Sequence, residues 1–106
     1  MLNESGNPLL SKVASQLQAL GQRHPIRRLE VFGSVAQGTA QPGSDVDLLV
    51  TLDGTVSTAQ LLDMAGEAEE LIGAPVDFVL RENIESAERT DRRREMLQSA
   101  VCIYGG

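Results

Sequence analysis

Apolar residues Leu9, Leu10, Val13, Leu17 and Leu20 recur at three- and four-residue intervals across residues 8–20, the spacing of one stripe along an amphipathic helix. Gly21 offers a stop. The period then changes. Leu29 and Val31 alternate with charged residues across 27–32, which predicts a short strand that Gly33-Ser34 cuts off abruptly. Turn-forming residues fill 39–44 and lead into the apolar run 46–50, a second strand. Across 57–71 a helical pattern returns in Leu61, Leu62, Met64, Ala65, Ala68 and Leu71, with Ser57 or Thr58 as cap and Gly73 as stop. A third strand, 76–80, follows Pro75. The charged segment 84–98 reads as helical, and 100–104 as a final short strand or a packed terminus.

Strands alternating with helices around a small sheet indicate an α/β or α+β domain. At 106 residues and 42% hydrophobic content the chain encloses one modest core, so a single domain over 1–106 is expected. The apolar runs fall well short of the roughly 20 residues that cross a bilayer, and no signal peptide opens the sequence. A soluble cytoplasmic protein is therefore expected. The single cysteine, Cys102, excludes an internal disulfide and a cysteine-rich zinc cluster. A net charge of -6 disfavours direct nucleic-acid binding, leaving an uncharged or basic partner surface.

The chemistry concentrates in two segments, Val31-Phe32-Gly33-Ser34 and Ser44-Asp45-Val46-Asp47-Leu48. If Asp45 starts the second strand, the two-residue period turns Asp45 and Asp47 to one face and Val46 and Leu48 to the core. Two converging carboxylates repel each other, and a hard divalent cation, most naturally magnesium, relieves the repulsion. Magnesium so held completes its octahedron with water and substrate phosphates. Gly33-Ser34, at a strand-to-helix turn, supplies a phosphate subsite through a close backbone approach, the serine hydroxyl and free N–H groups. The P-loop pattern is absent, because Thr39 rather than lysine follows Gly38. Asp77 lies in an otherwise apolar strand. If that strand pairs beside the second, Asp77 joins the other two as a general base and a further metal ligand.

Gly33-Ser34, ten residues, then Asp45-Val46-Asp47 resembles the signature of the DNA polymerase β-like nucleotidyltransferase superfamily. Within it the chain is similar to the minimal nucleotidyltransferases. The likeness extends through Leu48-Leu49-Val50, Val76-Asp77-Phe78-Val79 and Ala100 to Tyr104. It implies a small mixed β-sheet flanked by helices. It also implies that Asp45, Asp47 and Asp77 are catalytic and metal-binding, and that Gly33, Ser34 and Ser44 bind nucleotide. Relatives commonly carry arginine where this chain has Val35 and Gln37.

The family resemblance further implies an antitoxin paired with a HEPN-domain ribonuclease, which it silences by transferring AMP from Mg-ATP to a tyrosine. The short remainder after Asp77 leaves no acceptor-binding domain, so the hydroxyl arrives on another macromolecule. The competing expectation is a binding module that neutralises its partner by occlusion, without catalysis. Several other residues have plainer readings. His24 is expected at the surface, Arg89, Arg92, Arg93 and Arg94 on a solvated helix face, Cys102 as a small packed hydrophobe, and Tyr104 as an anchor for the tail.

Overall fold

Asn7 opens the first helix, α1 (Pro8–Gln16), by accepting the backbone N–H of Leu10 at 3.1 Å. Pro8 fits the first turn, where its missing N–H would have had no helical partner. The computed structural model describes residues 7–41, 43–86 and 97–105. The helix expected across 8–20 is in fact two, because the chain bends at Leu17 (φ -93°, ψ 0°) and resumes as α2 (Gln18–Arg23). The bend frees Gln18 to donate both to Ala14 O (2.9 Å) and to Ile103 O (2.7 Å), tying the helices to the far end of the chain. Gly21 is not a stop. It lies inside α2, where an added Cβ would come within 2.5 Å of the Tyr104 ring, so glycine here permits a close approach.

Four strands follow: β1 (Ile26–Phe32), β2 (Val46–Leu52), β3 (Val76–Leu80) and β4 (Val101–Gly105), ordered β3-β2-β1-β4 in one mixed sheet. β1 is antiparallel to both β2 and β4, whereas β2 and β3 are parallel. A parallel pair needs a long crossover, and α4 (Thr58–Ile72) provides it. Its ends match the expected caps. Ser57 and Gln60 form a reciprocal capping box, and Gly73 closes the helix at φ +77°. A single turn of helix, α3 (Gly33–Gln37), separates β1 from β2, and α5 (Arg81–Ser86) follows β3. The expected helix over 84–98 therefore begins earlier, at Arg81. Residues 87–96, among them the four arginines 89, 92, 93 and 94, lie outside the described residues, and 97–99 are helical.

Strand alternation sorts the sheet into two unlike faces. Leu29, Val31, Val46, Leu48 and Val50 face α1, α2 and α4, where they pack with Leu10, Val13, Leu17, Leu20, Met64 and Ala68. The opposite alternation carries Glu30 and Phe32 of β1, Asp47 and Leu49 of β2, and Asp77 and Val79 of β3. Cys102 also belongs to that side and is exposed, so it does not pack as expected. Tyr104 does anchor the last strand, against Gly21. Among the described residues no helix is long and apolar enough to cross a membrane.

One polar tie secures the helical layer. His24, expected at the surface, is half-buried, with Nε2 3.0 Å from Glu67 Oε1, while Arg23 donates to Glu67 Oε2 at 3.0 Å. The hydrogen bond to His24, and then Arg23, hold the Glu67 carboxyl below its usual range. A depressed carboxylate pKa adds stability above the unfolded pKa and loses it as pH falls through the folded one. Thermal melting should therefore show wild type losing its advantage over Glu67→Gln as pH drops below about 4.3, the ordinary glutamate value. A gap that stays constant through that window would mean the contact contributes nothing.

Candidate active site

β1 delivers the chain to Gly33 at the edge of the polar face, and the antiparallel register sets Phe32 opposite Asp47. The parallel register then sets Asp47 opposite Asp77. Asp47 is thus the centre of a row crossing three strands. Asp45 does not start β2, which begins at Val46. It lies in the exposed last step of the preceding loop, and its backbone is not fixed by the sheet.

The electrostatics of Asp47 register both neighbours. Burial, then the Asp77 carboxylate, then the Asp45 carboxylate push its pKa above the usual aspartate range. The three predicted acids therefore share one electrostatic neighbourhood. Gly33 lies directly under it at φ +73°, and a Cβ there would overlap Asp47 Oδ2. Only glycine combines that left-handed backbone with so close an approach.

α3 starts at this point. Its first N–H groups have no partner within the helix, and Ser34 is half-buried on its first turn. The other end is closed by the chain's return: Thr39 N (2.9 Å) and Ala40 N (3.2 Å) both donate to Ser34 O. Val35 is only 1% exposed and belongs to the core, while Gln37 is exposed at the end of the turn. Ser44, immediately before Asp45, closes a small turn. Its Oγ accepts Gln41 N at 3.0 Å and its N–H donates to Gln41 O at 2.9 Å.

The donor set is entirely carboxylate oxygen, the chemistry a hard divalent cation prefers. Among the described residues no three His, Cys, Asp or Glu side chains are grouped so as to hold a metal ion together. An ion held by one or two carboxylates and finished by ligand oxygens fits this open arrangement, whereas a zinc-type cage does not.

Two further contacts escape a linear reading. Glu30, 7% exposed, accepts Arg81 Nη1 at 2.8 Å, an ion pair spanning the sheet from β1 to the start of α5. Asn7 reaches α3 from the start of α1, donating to Val35 O at 2.8 Å. The only hint in the sequence was a charged residue inside an apolar strand for Glu30; for Asn7 there was a cap signal and nothing more.

Comparison with known proteins adds a family. The nucleotidyltransferase domain family matches residues 13–103. The protein adenylyltransferase MntA of Thermococcus cleftensis is 30% identical over 87 residues, covering 82% of this chain and 88% of that protein. A solved structure of a minimal nucleotidyltransferase is 31% identical with a TM-score of 0.66, covering 89% of this chain and 91% of that one. The fold is also similar to a Shewanella oneidensis complex of a tri-AMPylated HEPN toxin with its MNT antitoxin. There the TM-score is 0.57 at 17% identity, over 93% of this chain and 71% of that one.

Proposed function

Since the chain belongs to the nucleotidyltransferase domain family and is akin to the protein adenylyltransferase MntA, we propose that it transfers AMP from ATP to a HEPN ribonuclease toxin, and so acts as its antitoxin. The acceptor is a hydroxyl, most naturally a tyrosine. The observation that carries this reading is the register that lines Asp77 up with Asp47, with Asp45 close enough to perturb it, beside the Gly33 turn.

Each residue has a task in that reaction. Gly33 and Ser34 hold the triphosphate, with Ser44 setting the loop that carries Asp45. Asp45 and Asp47 would hold magnesium, whose charge offsets that of the phosphates. Asp77 accepts the proton of the attacking hydroxyl. The new bond joins that oxygen to the α-phosphorus, the bond from the α-phosphorus to the bridging oxygen breaks, and pyrophosphate leaves. Val35 and Gln37 place no cation beside the triphosphate from α3 itself, so grip rests on the backbone, Ser34 and the metal. In this reading residues 1–106 act as a single domain. The chain works in the cytoplasm, where ATP and a ribonuclease partner would meet it, without direct nucleic-acid contact.

Intact-mass spectrometry of the HEPN partner, after incubation with this protein, ATP and magnesium, tests the reading. Mass gains in AMP units that vanish with the Asp45→Asn/Asp47→Asn variant are expected. A partner that is neutralised without any mass gain would replace catalysis by occlusion.

A further inference from the structure

The turn that carries Gly33 and Ser34 is a helix of only five residues. So short a helix does not hold itself together in water; its geometry is set by what its ends touch. At its N-terminal end the Asp47 carboxylate rests on Gly33. Its middle is pinned by the buried Val35 side chain. At its C-terminal end Gly38, Thr39 and Ala40 return their amides to the Ser34 and Val35 carbonyls. These are contacts of the immediate chain, apart from the Asp47 and core contacts. One polar side chain arrives from much further away. Asn7 Nδ2 donates to Val35 O at 2.8 Å and to Ala36 O at 3.4 Å, across 28 and 29 residues of sequence.

Its other atom is also engaged, since Asn7 Oδ1 accepts Leu10 N at 3.1 Å as the cap of α1. One carboxamide thus caps the start of α1 and adds a side-chain donor to the end of α3, which the Gly38, Thr39 and Ala40 amides already close. Among good N-cap residues asparagine alone offers an acceptor oxygen and a two-proton donor on separate atoms. Aspartate caps equally well but cannot donate. Serine caps too, but its shorter side chain does not reach across to Val35 O.

We propose that Asn7 is a positioning residue for the nucleotide site: it fixes the orientation of α3, and through it the Gly33-Ser34 turn, relative to the helical layer. The inference rests on the reading of that turn as the triphosphate grip. Without the carboxamide Val35 O keeps only the Gly38 amide, at 3.2 Å, the tie to α1 is lost, and the short helix pivots about the Val35 side chain. The amides at its other end then no longer point where the phosphates lie.

Asn7→Ser and Asn7→Asp in the full chain, each keeping a good cap for α1, separate positioning from capping. MgATP affinity is measured by calorimetry at a temperature where both variants are fully folded, beside wild type and Ser34→Ala. The loss of one hydrogen bond, worth about 1 kcal/mol net, should weaken MgATP binding about fivefold in both Asn7 variants. Amide exchange at Gly38, Thr39 and Ala40 should quicken while the β2 amides keep their protection. A purely structural role would lower the melting temperature and leave the affinity unchanged. Unchanged affinity in both Asn7 variants, with Ser34→Ala weakened, overturns the role of Asn7. Unchanged affinity in Ser34→Ala as well overturns the grip reading, and this proposal with it.

Discussion

Asp47→Asn is expected to cut AMP transfer about a thousandfold or more and, at neutral pH without divalent cations, to make the chain melt at a higher temperature. The first effect follows from removing the central carboxylate of the row. Metal-held charge supplies several kcal/mol of transition-state stabilisation, and about 4 kcal/mol corresponds to three powers of ten in rate. The second follows from the environment of Asp47, whose pKa is raised by burial and by the Asp77 and Asp45 carboxylates. An acid with a raised folded pKa binds its proton more tightly in the folded state than in the unfolded one. Stability therefore falls as pH climbs from the unfolded aspartate value, about 3.9, through the folded pKa, and the full penalty stays in place above it. Asparagine never ionises and escapes that loss. Melting curves in chelator should give a gap in favour of Asp47→Asn that widens from pH 4 to pH 7.5, and added magnesium should narrow it. A variant that melts below wild type in chelator at neutral pH would make Asp47 a structural carboxylate.

The candidate site was partly legible in the sequence because of the company its carboxylates keep. Asp47 and Asp77 stand out because each interrupts an apolar strand, and Asp45 because it stands two residues before Asp47; of the three only Asp47 is half-buried, while Asp45 and Asp77 are exposed. The alternation that turns Asp47 from the core is equally visible, since Val46, Leu48 and Val50 are buried as their period requires. Adjacency of Asp47 and Asp77 was conditional on strand order, which no periodicity encodes. It became a fact only when β2 and β3 proved to be neighbours in parallel register.

Other features were hidden for identifiable reasons. The bend at Leu17 leaves no mark because α1 and α2 bury residues that continue one stripe. Gly21 carries the same letter whether it ends a helix or admits an aromatic ring, and only the position of Tyr104, far along the chain, decides. Glu30 looks like the polar half of an alternating strand, yet it is buried, and its partner Arg81 is 51 residues away. Asn7 gives the same signal as any cap, because its second partner is also distant. Local signals in this chain thus reported backbone conformation well. Side-chain partners brought together by the sheet did not show in them.

Gly33→Ala tests the tightest of those meetings. Two costs fall on one methyl group. An L-residue at φ +73° occupies the left-handed region at about 1–2 kcal/mol, and the new Cβ overlaps Asp47 Oδ2, so either Asp47 or the turn must move. Together about 2–3 kcal/mol of stability should be lost, a fall of several degrees in melting temperature for a chain of this size. AMP transfer should fall further than that, because in the proposed reaction Asp47 would hold the metal, and a misplacement of about 1 Å costs on the order of a hundredfold. Gly54→Ala is the matched control. Gly54 also has positive φ, +100°, but an added Cβ there meets nothing within 4 Å. It should show the strain penalty in melting with transfer unchanged. If transfer is retained in Gly33→Ala while its melting temperature falls like that of Gly54→Ala, the contact with Asp47 has no role in the chemistry. If transfer collapses in Gly33→Ala alone, the fit between the glycine that follows β1 and a carboxylate near the start of β2 is what makes the site competent.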